Sequence, residues 1–337
     1  MSIALPDFSD LPPVEGMPQG CAWGIFDKDG KKDVLGTLNL LTPEVVKSAA
    51  AEIQHGISVS LNWPLGSIKV KNYFRIGLQH KVLKLQEPHS DSPFGFDDEL
   101  EFNTQGSSQW DSLCHFLDFS SGKAYNGFVP SVDELQNPSP SGSKLPTLDN
   151  WHGRGCVTTR GVLVDFKSYA DAKGIEYSPF SGFRIGVSDL EAVAAYQGVT
   201  FRPGDILIVR FGFTEALENM NGDEQAAAMA SHEACGLEGS EDMACWIWNK
   251  HFSGVASDNL AVEAMPPMVN GKVQPRAELV LHRWCLGLFG LPLGELWYLK
   301  TLSEYCKTKK KYSFFLTSAP LNVPGAVGSP PNALAIL

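Results

Sequence analysis

Two short, unbroken apolar runs constrain this chain more than anything else in it. They are Gly161-Val162-Leu163-Val164-Asp165-Phe166 and Ile206-Leu207-Ile208-Val209-Arg210. Runs this short, continuous and rich in β-branched residues read as buried central strands. Helix signals stand beside them. Ser188-Asp189-Leu190-Glu191 forms a capping box, Gly198 closes that helix, and the turn Arg202-Pro203-Gly204-Asp205 leads into the second strand. A further helix is predicted from Ser240, with Glu241 and Asp242 in its first turn. An earlier one runs from Pro43 to Ile53, capped by Thr42, ended by Gly56 and striped by Val45, Val46, Ala49 and Ile53. Strands that alternate with helices imply a mixed α/β architecture.

Composition sets the outer limits. A length of 337 residues allows two domains or one large unit. With 43% apolar and 19% charged residues, disorder is excluded as the main state. Lys and Arg number 27 against 38 Asp and Glu, a net charge of −11 that argues against nucleic acid or an anionic membrane as partner. No apolar run approaches the roughly 20 residues of a spanning helix. Met1-Ser2-Ile3-Ala4-Leu5-Pro6-Asp7 lacks the basic start of a signal peptide, and Ala335-Ile336-Leu337 is not a peroxisomal tripeptide, so a cytoplasmic protein is expected. Seven dispersed cysteines without a Cys-x-x-Cys pair read as reduced thiols. Phosphate-binding loops are missing from the sequence, and so are repeats. The proline-rich first 20 residues read as an N-terminal arm over the surface. Asn137-Pro138-Ser139-Pro140-Ser141-Gly142-Ser143 reads as a flexible loop, either a linker or a cover for a site.

The densest polar cluster is Gln105-Gly106-Ser107-Ser108-Gln109-Trp110-Asp111, followed shortly by His115. If extended, it aligns Gln105, Ser107, Gln109 and Asp111 on one face. Two readings stand open: a solvated edge strand with Trp110 packed inward, or one wall of a pocket. His282 lies among strong apolar flanks, either as a core histidine with a hydrogen-bond partner or as a site residue. Glu295 follows after Gly290, Pro292 and Gly294, breakers that let the chain fold back towards His282. His232-Glu233 is a weaker loop candidate. Cys114 adjoins His115, but neighbours on an extended segment face opposite ways. Arg210 and Arg283 read either as carboxylate binders or as structural ion-pair partners.

The segment from Gln105 to His115 resembles the signature of the cyclase family that includes kynurenine formamidase and isatin hydrolase, His-x-Gly-Thr-His-x-Asp-x-Pro-x-His. Trp23-Gly24, Asp33-Val34-Leu35-Gly36-Thr37-Leu38-Asn39 and Ser318-Ala319-Pro320-Leu321-Asn322 extend the resemblance to about residues 20–325, in a branch common in filamentous fungi. The resemblance implies a mixed α/β fold with a swivelling β/β/α, β-barrel-like core and flanking helices. It also implies one domain over residues 21–325, a tail over 326–337, and a homodimer or higher oligomer. The family's metal-binding histidines fall here on Gln105 and Gln109. Its bridging aspartate is Asp111, its catalytic histidine His115, and its later ligands His282 and Glu295. Ser107, Ser108 and Leu113 replace the family's glycine, threonine and proline.

A neutral amide is a poor ligand for zinc or manganese, so the two glutamines weaken a two-metal site. The expectation is no required cofactor, with a single zinc or manganese ion on Asp111, His282 and Glu295 as the alternative. A histidine base near pKa 6.5 lies about 3.5 units below a phenol, or ~5 kcal/mol. It lies about 9 units below water, or ~12 kcal/mol. A bare histidine therefore drives phenol or enol attack far more readily than hydrolysis. The expected activity is ring closure or isomerisation of a small aromatic or polyketide-type carbonyl substrate in secondary metabolism, for example a chalcone-isomerase-like oxa-Michael addition. His115, oriented by Asp111, takes the proton, and His282 with Glu295 returns it. Gln105 and Gln109 donate to the developing oxyanion. Ser108, Trp110 and Arg210 complete the substrate-binding set. The alternatives are a metal-dependent hydrolase of an amide, lactam or ester, and an inactive small-molecule-binding homologue.

Overall fold

The two apolar runs pair with each other at the centre of the molecule. A computed structural model describes residues 5–70, 75–139 and 142–337. Its main sheet has nine strands: β1 (Ser58–Ser60), β2 (Gln109–Asp111), β3 (Val157–Asp165), β4 (Ile206–Arg210), β5 (Gly254–Ser257), β6 (Leu293–Glu295), β7 (Ser313–Ser318), β8 (Gly328–Ser329) and β9 (Ala333–Ile336). They lie side by side in the order β1-β9-β7-β3-β4-β5-β6-β2-β8. From β3 to β6 the neighbours are parallel, and the outer pairs are antiparallel. The sheet curls into a half-barrel flanked by helices, a mixed α/β fold as expected.

Period-two alternation on β4 explains its continuous apolar run. Leu207 and Val209 point into one core with Val164, Val255 and the helix residues Leu190 and Trp248. Ile206 and Ile208 point into a second core with Leu163, Trp110, Trp297 and Phe314. A strand covered on both faces favours apolar side chains unless a polar one is paired, as Arg210 is at the end of β4, and each such aliphatic contributes about 1.5–3 kcal/mol by burial.

Helix ends follow local chemistry, with small corrections. Thr42 accepts from Val45 N at the start of α1 (Pro43–Ala49), which tightens into a short 3-10 turn at Ala50–Glu52 instead of continuing to Ile53. After α2 (Phe166–Lys173), α3 (Val187–Gln197) starts one residue earlier than its sequence box. The Asp189 carboxylate reaches back to Gly186 N at 2.9 Å, so Gly186 and not Ser188 is the cap. Gly198, in the left-handed region at φ 67°, ends it as expected. Ser240 caps α4 (Glu241–Asn249).

One expectation about the chain's organisation changes. Residues 326–337 are not a tail, because β9 pairs with both β1 and β7 and β8 pairs with β2. The N-terminal arm is pinned by the buried Phe8 and Leu11, while most of its other described residues stay partly or fully exposed. Phe8 is buried against Trp284 and Phe289, with ring centroids 5.3 and 6.2 Å apart, and residues 1–4 lie outside the described residues. Pro140 and Ser141 of the proline-serine loop also lie outside them. Pro138, Ser139 and Ser143 line a separate surface cavity with Lys32 and Phe128. All seven cysteines are free thiols. Among the described residues no helix is long and apolar enough to cross a membrane.

Candidate active site

Strand β2 lies between β6 and β8, and register does much of the assembly. Gln109 stands opposite Glu295, while Asp111 stands opposite both Leu293 and Gly328. Gly328 is required there, since a Cβ on it would lie 2.6 Å from Gln105 Cγ. Alternation turns Gln109 and Asp111 to one face and Trp110 to the other, where Trp110 packs edge-on against Trp151 and Trp297. Beyond β2, His115 N bonds Ser112 O and the turn brings the imidazole back beside Gln105.

His282 arrives from the far end of the chain. It closes the short helical turn Val280–His282, which widens into a π-helical stretch at Arg283–Phe289, a local irregularity frequent at functional sites. Glu263, fully buried, holds this turn in place. It accepts from Val280 N at 2.8 Å, from His282 N at 2.8 Å and from His282 Nδ1 at 2.9 Å. Glu263 was absent from the sequence-based site. Its signal was an acidic residue inside Ala261-Val262-Glu263-Ala264-Met265, where an apolar setting demands a partner.

Two hydrogen-bonded chains result. In one, Gln105 Nε2 donates to Asp111 Oδ1 at 2.6 Å and lies 3.1 and 3.2 Å from the two ring nitrogens of His115. Asp111 itself is 4.0 Å from His115, so it acts on that ring through Gln105 and not by direct contact. In the other chain, His282 bridges Glu263 and Glu295, with its Nε2 3.1 Å from Glu295 Oε1. Gln109 Nε2 donates to Glu295 Oε2 at 2.6 Å. Burial disfavours charge on His282, but its hydrogen bonds to Glu263 and Glu295 outweigh that and raise its pKa to about 10. Burial drives the Asp111 carboxyl above its ordinary range, against the pull of His115.

The structure thus brings together His115, Asp111, His282, Glu295, Gln105 and Gln109, and removes several expected roles. Gln105 and Gln109 direct their N–H groups at carboxylates, not at a substrate carbonyl. Ser108 is buried, its hydroxyl accepting from Trp63 N and donating to Leu296 O, both at 2.6 Å. Trp110 is core, its indole N–H on Ser318 Oγ at 2.9 Å. Arg210 is held by Asp165 at 2.7 Å and Glu215 at 2.8 Å, and Arg283 by Asp118 at 2.6 Å, so neither serves a ligand. The Cys114 thiol is pushed up to about 12 by burial, then by Asp149, which ends its candidacy as nucleophile.

A cavity of about 690 Å³ opens above His115, His282 and Glu295. Its walls are mainly apolar, with Phe116, Met229, Leu260 and Met265 among them, and His232 and Glu233 line its exposed rim. Phe116 packs on the His282 ring at 5.3 Å. Such a space suits a small aromatic molecule.

A cation also fits the floor. Asp111, His282 and Glu295 each offer one ligand atom, all within 4.8 Å of one another. Two buried oxygens close to them, Asp111 Oδ2 and Gln109 Oε1, have no hydrogen-bond partner. Two carboxylate oxygens and one imidazole are a donor set for zinc or manganese.

Residues 39–264 match the family model described as "Putative cyclase", a span that includes Gln105–His115 and stops before His282 and Glu295. Among solved structures, one of a novel cyclase shares 31% identity over 94% of this chain and 99% of its own, with a TM-score of 0.78. Isatin hydrolase A from Ralstonia solanacearum shares 16% identity over 88% of this chain and 98% of its own, with a TM-score of 0.53. Isatin hydrolase A from Labrenzia aggregata, bound to benzyl benzoate, shares 13% over 87% and 97%, with a TM-score of 0.56. The last two likenesses concern the fold alone. No curated protein matches the sequence.

Proposed function

The chain belongs to the cyclase family, and from that premise we propose that it closes or isomerises a ring in a small aromatic carbonyl compound by proton transfer. The observation that carries this reading is His115. It is a half-buried imidazole on an apolar cavity wall, backed by the Gln105–Asp111 pair. It takes the proton from the substrate's attacking hydroxyl or acidic carbon. His282, with a pKa near 10, holds a proton at neutral pH and stands on the same cavity floor to return it to the enolate. Enclosure in the cavity brings the substrate's reacting ends together, worth several kcal/mol.

The unpartnered oxygens of Asp111 and Gln109 favour one second reading, a hydrolase of an amide, lactam or ester. A divalent ion held by Asp111, His282 and Glu295 would supply Lewis acidity and an acidified water there. Binding it requires His282 to release its proton, so the ion competes with protons at this site. The test is cyclisation of a 2′-hydroxychalcone, followed by loss of enone absorbance, before and after dialysis against a chelator. Turnover that survives dialysis and falls at least about 100-fold in His115→Ala supports proton transfer. Inertness to hydroxy-enones, with metal-dependent cleavage of anilides or aryl esters, overturns it.

A further inference from the structure

Among the described residues, one hairpin joins neither the apolar cores nor the cavity. Its strands, Gln79–Leu85 and Gly95–Glu101, pair antiparallel and form a two-stranded sheet of their own. Arg75, just before it, donates from Nη1 to the backbone carbonyl of Gln105, just after it, at 2.5 Å, which ties its stem beside the site. Register and alternation give the two faces different chemistry. His80 stands opposite Leu100, Val82 opposite Asp98 and Lys84 opposite Phe96. Phe94 N donates to Leu85 O at 2.9 Å, which carries the alternation on to Phe94. One face thus presents Phe94, Phe96, Val82 and Leu100. The other is mainly charged, with Lys81, Asp97, Glu99 and Glu101 beside Leu83 and Leu85. Such a pattern belongs to a sheet packed on one side. Within one chain that side is bare: Phe94 is 69% exposed, Phe96 67%, Val82 55% and Leu100 52%. A lone two-stranded hairpin is marginal in water, and a contiguous apolar patch marks a contact surface.

Charge selects the occupant. Strand Gln79–Leu85 carries His80, Lys81 and Lys84 and no acid, whereas strand Gly95–Glu101 carries Asp97, Asp98, Glu99 and Glu101 and no base. Pairing the same free edge of two copies would set like charges against each other. Stacking the two apolar faces about a twofold axis along the strands does the reverse, because each basic strand then lies over the other copy's acidic one. The face is complementary to itself. We propose that this hairpin is a dimerisation arm. Its apolar face packs on the same face of a second copy of this chain, and Lys84 of each copy reaches Asp98 of the other.

Sedimentation velocity of the full-length protein tests the arm. A dimer is expected at about 10 µM, and Phe96→Asp weakens it at least about 100-fold, because the symmetry places the substitution in the interface twice. Lys84→Glu and Asp98→Lys each weaken it about tenfold through repulsion at both Lys84–Asp98 contacts. An equimolar mixture of those two variants associates again, since every such contact in the mixed dimer joins opposite charges. All three positions are exposed in the single chain, so the variants keep the wild-type circular dichroism spectrum. A wild-type protein that stays monomeric up to about 100 µM overturns the proposal. So does a dimer unaffected by Phe96→Asp, or a mixture that associates no better than its components.

Discussion

Asp165 and Asp111 are both completely buried aspartates at the ends of strands of one sheet, yet their environments move them in opposite directions. Burial works against the charge of Asp165, but Arg210 at 2.7 Å and bonds from Ser303 and Ser168 outweigh it and hold the carboxyl below its ordinary range. Burial of Asp111 prevails over the pull of His115, and its Oδ2 finds no partner. One carboxylate has its cation supplied by the fold and fastens β3 to β4. The other is left short of positive charge at the floor of a cavity, a state tolerated where a proton or cation is to be handled.

The largest expected effect tests the fastened pair. Arg210→Met leaves Asp165 buried without its cation and should remove about 3–5 kcal/mol of stability in urea unfolding. A loss near zero would erase the distinction between the two regions. Asp111→Asn should do the reverse, lowering turnover about 100-fold, or ~2.7 kcal/mol, while leaving the unfolding midpoint nearly unchanged. Comparable losses of stability in the two variants would make Asp111 a structural residue as well.

Gly328→Ala comes next, because the added methyl meets Gln105 Cγ at 2.6 Å and displaces the link between Asp111 and His115. A stability cost of about 1–3 kcal/mol is expected, with turnover falling further than stability explains.

The smallest effect is the shape of the pH profile of stability. Asp165, held low, contributes stability that is complete above the unfolded value near 4 and is lost as pH falls through its folded value. Asp111, held high, acts with the opposite sign, so stability declines as pH rises above about 4 towards its folded value. Asp111→Asn should flatten that neutral-side decline and leave acid unfolding unchanged. A profile identical to wild type would contradict the direction assigned to Asp111.

Much of the site was legible in linear form. The spacing of Gln105, Gln109, Asp111 and His115, and the pairing of His282 with Glu295, anticipated groups that do converge. Patterning could not read partners. Trp110 alternates with the site residues and so points away from them, into the core with Trp297. Arg210 ends an apolar strand, and only the fold shows Asp165 and Glu215 around it. Glu263 and Arg75 were missed because each acts on a site residue from a distant segment. The sequence box at Ser188 was displaced to Gly186, because Asp189 bonds the earlier residue.

Local chemistry determined where β3 and β4 run, where α3 stops and α4 starts, and that this chain carries amides where imidazoles are expected. Those properties depend on neighbouring residues and on burial preference, both written in linear order. Tertiary structure alone decided what the amides do. Antiparallel register set Gln109 against Glu295 on a strand far along the chain, and Gly328 let Gln105 fold onto the nearby Asp111, so both N–H groups meet carboxylates. A hydrogen bond depends on distance and direction in space, and no spacing along the sequence specifies either.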